Sequence, residues 1–119
     1  MAVNIVNVTS INGKTDAASI ASNDSASFAV NTSATDVFKV NTILVSNQAD
    51  SAGVGGDALV NVIFRDSSVD YNFINDIEVP MKSTLEVLGS SLYVNQNQSI
   101  AVQSDSSALN VLVSYESLT

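Results

Sequence analysis

The stretch Val69-Asp70-Tyr71-Asn72-Phe73-Ile74-Asn75-Asp76-Ile77-Glu78-Val79 decides the fold class. Val69, Tyr71, Phe73, Ile77 and Val79 share one parity, and Asp70, Asn72, Asp76 and Glu78 share the other. A strand sends successive side chains to opposite faces, so this spacing predicts one face on a core and one in solvent. A helix would need its apolar positions three or four residues apart. Pro80 follows at once and closes the strand, because it has no N–H to give to a ladder.

The same period recurs outward from this stretch. Over Ala108 to Glu116, Leu109, Val111, Val113 and Tyr115 point inward while Asn110, Ser114 and Glu116 point outward. Ala58 to Arg65 sets Val60, Val62 and Phe64 on one side, and Ile100 and Val102 do the same after Asn95-Gln96-Asn97-Gln98. Segments 2–11, 26–31, 37–47, 84–88 and 91–94 complete about nine strand candidates, and no helical period is sustained anywhere. Asn12-Gly13 has the chemistry of a type I′ hairpin turn. Asp66-Ser67-Ser68 and Asp105-Ser106-Ser107 are short breaks at which neighbouring strands fold back. Lys14 to Ser25 and the glycine-bearing Gln48 to Asp57 read as surface loops, with room for one helical turn over Asp16 to Ser22. The expectation is one all-β domain over 1–119: an antiparallel, jelly-roll-like β-sandwich of eight to nine strands. Residues 1–11 are its first strand or an N-terminal arm.

Composition narrows the chemistry. The 119 residues carry 4 basic and 12 acidic side chains, a formal charge of −8, and charged residues are 13 % of the chain. The polar coat is neutral instead: 19 Ser and 13 Asn. No His and no Cys are present, which removes imidazole bases, thiol chemistry, disulfides and cysteine-held zinc. Lys14, Lys39, Arg65 and Lys82 are scattered singly, so no basic patch faces a phosphate backbone and nucleic acid is not an expected partner. The N-terminal sequence has no basic stretch followed by an apolar run, and no apolar run approaches the roughly 20 residues of a membrane span. No membrane partner is expected.

The carboxylates alternate outward on strands or sit in turns, and no Gly-x-Ser-x-Gly elbow occurs, so no catalytic residues and no cofactor are expected. Asp50 to Asp57 places two carboxylates on a glycine-rich loop, but without the alternating acids and closing Glu of an EF-hand, so no metal is expected. Carbohydrate binding is the competing class. It would rest on Tyr93, which lies opposite Leu92 and Val94 in parity, whereas Tyr71 and Tyr115 fall on apolar faces.

The apolar residues that break the polar rows point to a partner. Leu59 and Ile63 oppose Val60, Val62 and Phe64, while Ile74 and Leu112 each interrupt a polar row. Either these strands are covered within the chain, or part of an outer face is buried against another subunit. In residues 1 to 11, Val3 and Ile5 lie on one parity and Val6 and Val8 on the other, as in a bulged strand or an arm touching several surfaces. Val3, Ile5, Val6, Val8, Leu59, Ile63, Ile74, Leu112 and Tyr93 are the interaction candidates.

The C-terminal half runs Asp76-Ile-Glu-Val-Pro80, Ser83-Thr-Leu-Glu-Val-Leu88, Leu92-Tyr-Val94, Ser99-Ile-Ala-Val-Gln-Ser104 and Ala108-Leu-Asn-Val-Leu-Val-Ser-Tyr-Glu116. This order resembles the small β-sandwich virion proteins of tailed bacteriophages, cyanophages among them, over residues 60 to 116. The resemblance implies a non-enzymatic capsid decoration (cement) protein that bridges capsid subunits, or a tail, collar or fibre accessory protein. It implies the major capsid protein or other virion proteins as partners, a homo-oligomer such as a trimer, and a place on the particle exterior after synthesis in the host cytoplasm.

Overall fold

The structure is a computed structural model and describes residues 8–21, 23–48, 56–105 and 109–119. Among these residues nine strands form: β1 (Ile11–Ile20), β2 (Ser25–Asn31), β3 (Val37–Asn47), β4 (Ala58–Asp66), β5 (Val69–Val79), β6 (Ser83–Glu86), β7 (Leu92–Val94), β8 (Gln98–Ser104) and β9 (Leu109–Leu118). One sheet runs β1-β9-β3-β6, with β7 also beside β3, and the other runs β2-β8-β4-β5. All pairings are antiparallel. β6 and β7 flank different ends of β3, so together they act as one interrupted strand. The chain passes from sheet to sheet at most connections, which gives the two-sheet jelly-roll architecture expected from the pattern.

The core is the inward row of each sheet. Val40, Ile43, Val45, Val111 and Val113 come from the first sheet and meet Phe28, Val60, Val62, Ile100 and Val102 from the second. Burying each such side chain is worth roughly 1.5–3 kcal/mol. β-branched residues suit these positions because their stiff χ1 costs little on a pleated surface.

Two expectations change. Asn12-Gly13 is not a turn, and Lys14 to Ile20 of the expected loop is strand. Ile11–Ile20 is a continuous strand paired with β9 from Ile11↔Leu118 to Ile20↔Leu109, and the helical turn over Asp16 to Ser22 is absent through Ala21. β1 is an edge strand that is exposed along most of its length, so it needs no large apolar row of its own; β9 supplies that. Asn12 lacks the positive φ of the expected turn. Val8 to Ser10 precede the strand, and the rest of the expected 2–11 segment lies outside the described residues. The break after β8 also leads elsewhere than expected. β8 and β9 lie in different sheets, so the strands around Asp105-Ser106-Ser107 do not fold back on each other.

Polar side chains tie the sheets at both ends. Asn31 of β2 is fully buried, and its Nδ2 donates to the carbonyls of Asp36 (2.9 Å) and Val94 of β7 (3.0 Å). Asn47 of β3 is equally buried, and its Nδ2 donates to the carbonyls of Gly56 (2.7 Å) and Val79 of β5 (3.0 Å). A buried amide is tolerated because its polar atoms are matched inside the protein. The molecule is elongated, 50 × 26 × 20 Å.

Candidate interaction surface

β5 is an edge of its sheet, and its inner row is only half covered. At the C-terminal end Val79 is buried, and Asn47 and Ser83 bond to the Val79 and Pro80 carbonyls. Toward the N-terminal end the facing sheet gives no such cover: Val69, Tyr71 and Phe73 are 50 %, 56 % and 42 % exposed. The strand therefore departs from the expected single inward row. Its register against β4 slips twice, between Val60 and Val62 and between Val62 and Ile63, so Val60 faces Ile77, Val62 faces Ile74 and Phe64 faces Tyr71. Asp76 takes a left-handed φ of 52° at the first slip and donates its N–H to Asn61 Oδ1 at 2.7 Å. The second slip leaves Phe73 as the extra residue between Ile74 and Asn72. Bulges of this kind bend an edge and re-aim side chains.

The sequence did carry a signal for this. Phe73-Ile74 is an apolar pair inside an alternating strand, and a parity change in the middle of a strand requires an inserted residue. Val69, Tyr71 and Phe73 are the exposed residues that strict alternation misassigns to the core.

On the outer face of the same sheet, Arg65 and Asp70 stand opposite each other on β4 and β5. The guanidinium forks onto the carboxylate, Nε to Oδ1 at 2.7 Å and Nη2 to Oδ2 at 3.3 Å, and Nη1 reaches Ser27 Oγ on β2 at 3.5 Å. The hydrogen bond from Arg65 lowers the Asp70 carboxyl below its ordinary range, and the same bond raises the guanidinium further. Both groups are solvated, so the pair contributes order to this face more than stability.

The other candidates are spread over the molecule. Leu112 is 44 % exposed on the outer face of the first sheet, where its register partners are Ala17 and the half-buried Leu44. Tyr93, on β7 opposite Lys39, is 42 % exposed on that same face. Leu59 is partly exposed and its N–H is held by Asp105 Oδ1 at 2.8 Å. Val8 is half-buried beside Thr9, whose N–H donates to the Thr119 carbonyl. Ile63 is buried, and Ile74 is half-buried against the core, so neither offers an open surface. Val3, Ile5 and Val6 lie outside the described residues, as does most of the Asp50 to Asp57 loop. Among the described residues no group of three or more carboxylates is placed to hold a metal ion. No described helix is long and apolar enough to cross a membrane.

No protein-family model and no curated protein matches the chain. Among solved structures, a protein from the work titled "Bacillus endospore appendages form a novel family of disulfide-linked pili" is similar in fold. It has a TM-score of 0.51 and 14 % identity over 91 % of this chain and 86 % of that one. At that identity the likeness concerns the fold.

Proposed function

We propose that this chain is a non-enzymatic virion structural protein: a capsid decoration, or cement, protein that stabilises the particle by bridging capsid subunits on its exterior. Its partners are the major capsid protein or other virion proteins, together with further copies of itself. The observation that carries this reading is the exposure of Val69, Tyr71 and Phe73 on the open edge strand β5. Exposed aromatic side chains on an edge strand supply apolar area, and the strand's open side supplies backbone hydrogen bonds, to an incoming surface. The resemblance to phage virion proteins over residues 60 to 116 supports the same reading, and the neutral Ser and Asn coat suits a protein that works by area rather than by charge.

The test is reconstitution. Purified protein added to capsids that lack it should bind at regular sites visible by cryo-electron microscopy, and Tyr71→Ser with Phe73→Ser should reduce occupancy without lowering the melting temperature. A stable monomer that leaves the capsids bare overturns the reading. Antibody label on the tail or collar would move the protein to an accessory role there.

The fold likeness to an endospore appendage favours a second reading, a subunit of a filamentous appendage. That reading expects fibres of the purified chain alone. With no Cys in the sequence, such fibres would survive reductant.

A further inference from the structure

One end of the sandwich, next to the start of β5, carries a cleft of about 320 Å³ between the end of β2, the β4–β5 turn and the β7–β8 turn. Its walls include Val30, Thr32, Ser67, Asn97, Gln98 and Ser99, and no charged side chain lines it. Hydroxyls both donate and accept, and side-chain amides add further neutral donors and acceptors, although Gln98 Oε1 already accepts the Asn95 N–H; the lining matches a ligand that carries neutral hydroxyls. Val30 is 53 % exposed there, which gives an apolar surface for the C–H face of a ring.

The walls are fixed before any ligand arrives. Ser67 and Asn97 both hold left-handed backbone, at φ 55° and 66°. The Ser67 N–H donates to the Asn97 carbonyl at 2.8 Å, and the Asn97 N–H donates to the Asn31 carbonyl at 2.7 Å. Asn31 is in turn locked by its buried side-chain bonds. Non-glycine residues keep such conformations only where their surroundings over-determine them, and such places often serve binding. The lining holds no cationic side chain to pair with a phosphate or carboxylate, and a net charge of −8 disfavours both.

We propose that this cleft is a binding site for an uncharged saccharide, either a free sugar or a unit of a neutral polysaccharide. This inference is independent of the assembly reading.

The experiment is an amide-resolved NMR titration of the full chain with glucose, N-acetylglucosamine and, as the charged control, N-acetylneuraminic acid. Saturable shifts from a neutral sugar are expected on the Thr32, Ser67, Asn97 and Ser99 amides, with none from the acid. Asn97→Gly keeps the fold, since glycine adopts φ 66° freely, and should weaken binding about ten-fold, the value of one good polar contact. Retention on a dextran column that free glucose releases assigns the ligand to a polysaccharide; titration without retention assigns it to a free sugar. The proposal fails if no neutral sugar gives saturable shifts at millimolar concentrations. It fails equally if shifts centre on Tyr93, or if Asn97→Gly binds unchanged.

Discussion

Asp16 holds Tyr115 and clamps the two sheets together. Its Oδ1 accepts the Tyr115 hydroxyl at 3.2 Å within the first sheet, and its Oδ2 accepts the Ala29 N–H of β2 in the second at 2.8 Å. Ala29 is fully buried and left-handed, φ 49°, where the β2–β8 register slips between Phe28 and Asn31. Its N–H is thereby matched by a carboxylate instead of a neighbouring strand. The Tyr115 ring packs on Phe38 at 4.9 Å, and Lys14 Nζ lies 5.8 Å from the Phe38 ring.

Asp16→Ala should destabilise the protein by about 2–4 kcal/mol, because it orphans a buried N–H as well as a hydroxyl. Urea unfolding checks this, and a loss under about 0.5 kcal/mol, the usual range for surface changes, would remove the clamp from the account.

Burial first, and then the Asp16 charge and hydrogen bond, push the Tyr115 hydroxyl up to about 12 from an ordinary 10.0. Below pH 10 both folded and unfolded states keep the proton. Between about 10 and 12 the unfolded state releases it and the folded state does not, so stability falls as pH rises through this window. Tyr115→Phe should flatten that decline. Urea midpoints for the two proteins, taken just below pH 10 and near pH 12, make the comparison; equal declines would contradict the assignment.

Asn31→Ala and Asn47→Ala should each cost about 2–4 kcal/mol, since each removes two hydrogen bonds made by a fully buried amide. Asn110→Ala, on an exposed position bonded to Ser19, should stay within about 0.5 kcal/mol. Thermal melts of the three variants give the ranking.

Asp76→Gly should be nearly neutral, because glycine takes φ 52° freely, whereas Asp76→Val should cost about 1–3 kcal/mol. Equal melting temperatures for the two would mean that the β5 bulge tolerates a change of geometry.

What was legible in the sequence was the place of the strands with recurring apolar positions, not how each one is buried. β3 and β5 fall on 37–47 and 69–79 as their alternation indicates, and β5 ends against Pro80. β1 was illegible because its first half is exposed on both faces and its inward positions there and beyond are filled by Asp16 and Ala18 before Ile20, and its Asn12-Gly13 chemistry suits a turn just as well. The exposed row on β5 was hidden for a different reason. Parity says which residues share a face, but it does not say how far the opposite sheet extends over that face. The cleft at the sandwich end was not legible at all, since Val30, Ser67 and Asn97 come together only through pairing among β2, β8 and β4.

The pairing of β1 with β9 also sets an order of events. Ile11 finds Leu118 and Ile20 finds Leu109, and β9 is in addition the bond between β1 and β3. On a ribosome, β1 waits unpartnered through the synthesis of all the strands between. Closure of that sheet comes only when β9 slides in between the two strands already made. Folding is therefore governed by a late, long-range step, slow by the measure of small helical domains, and the interval before it is when β1 is open to capture by another chain.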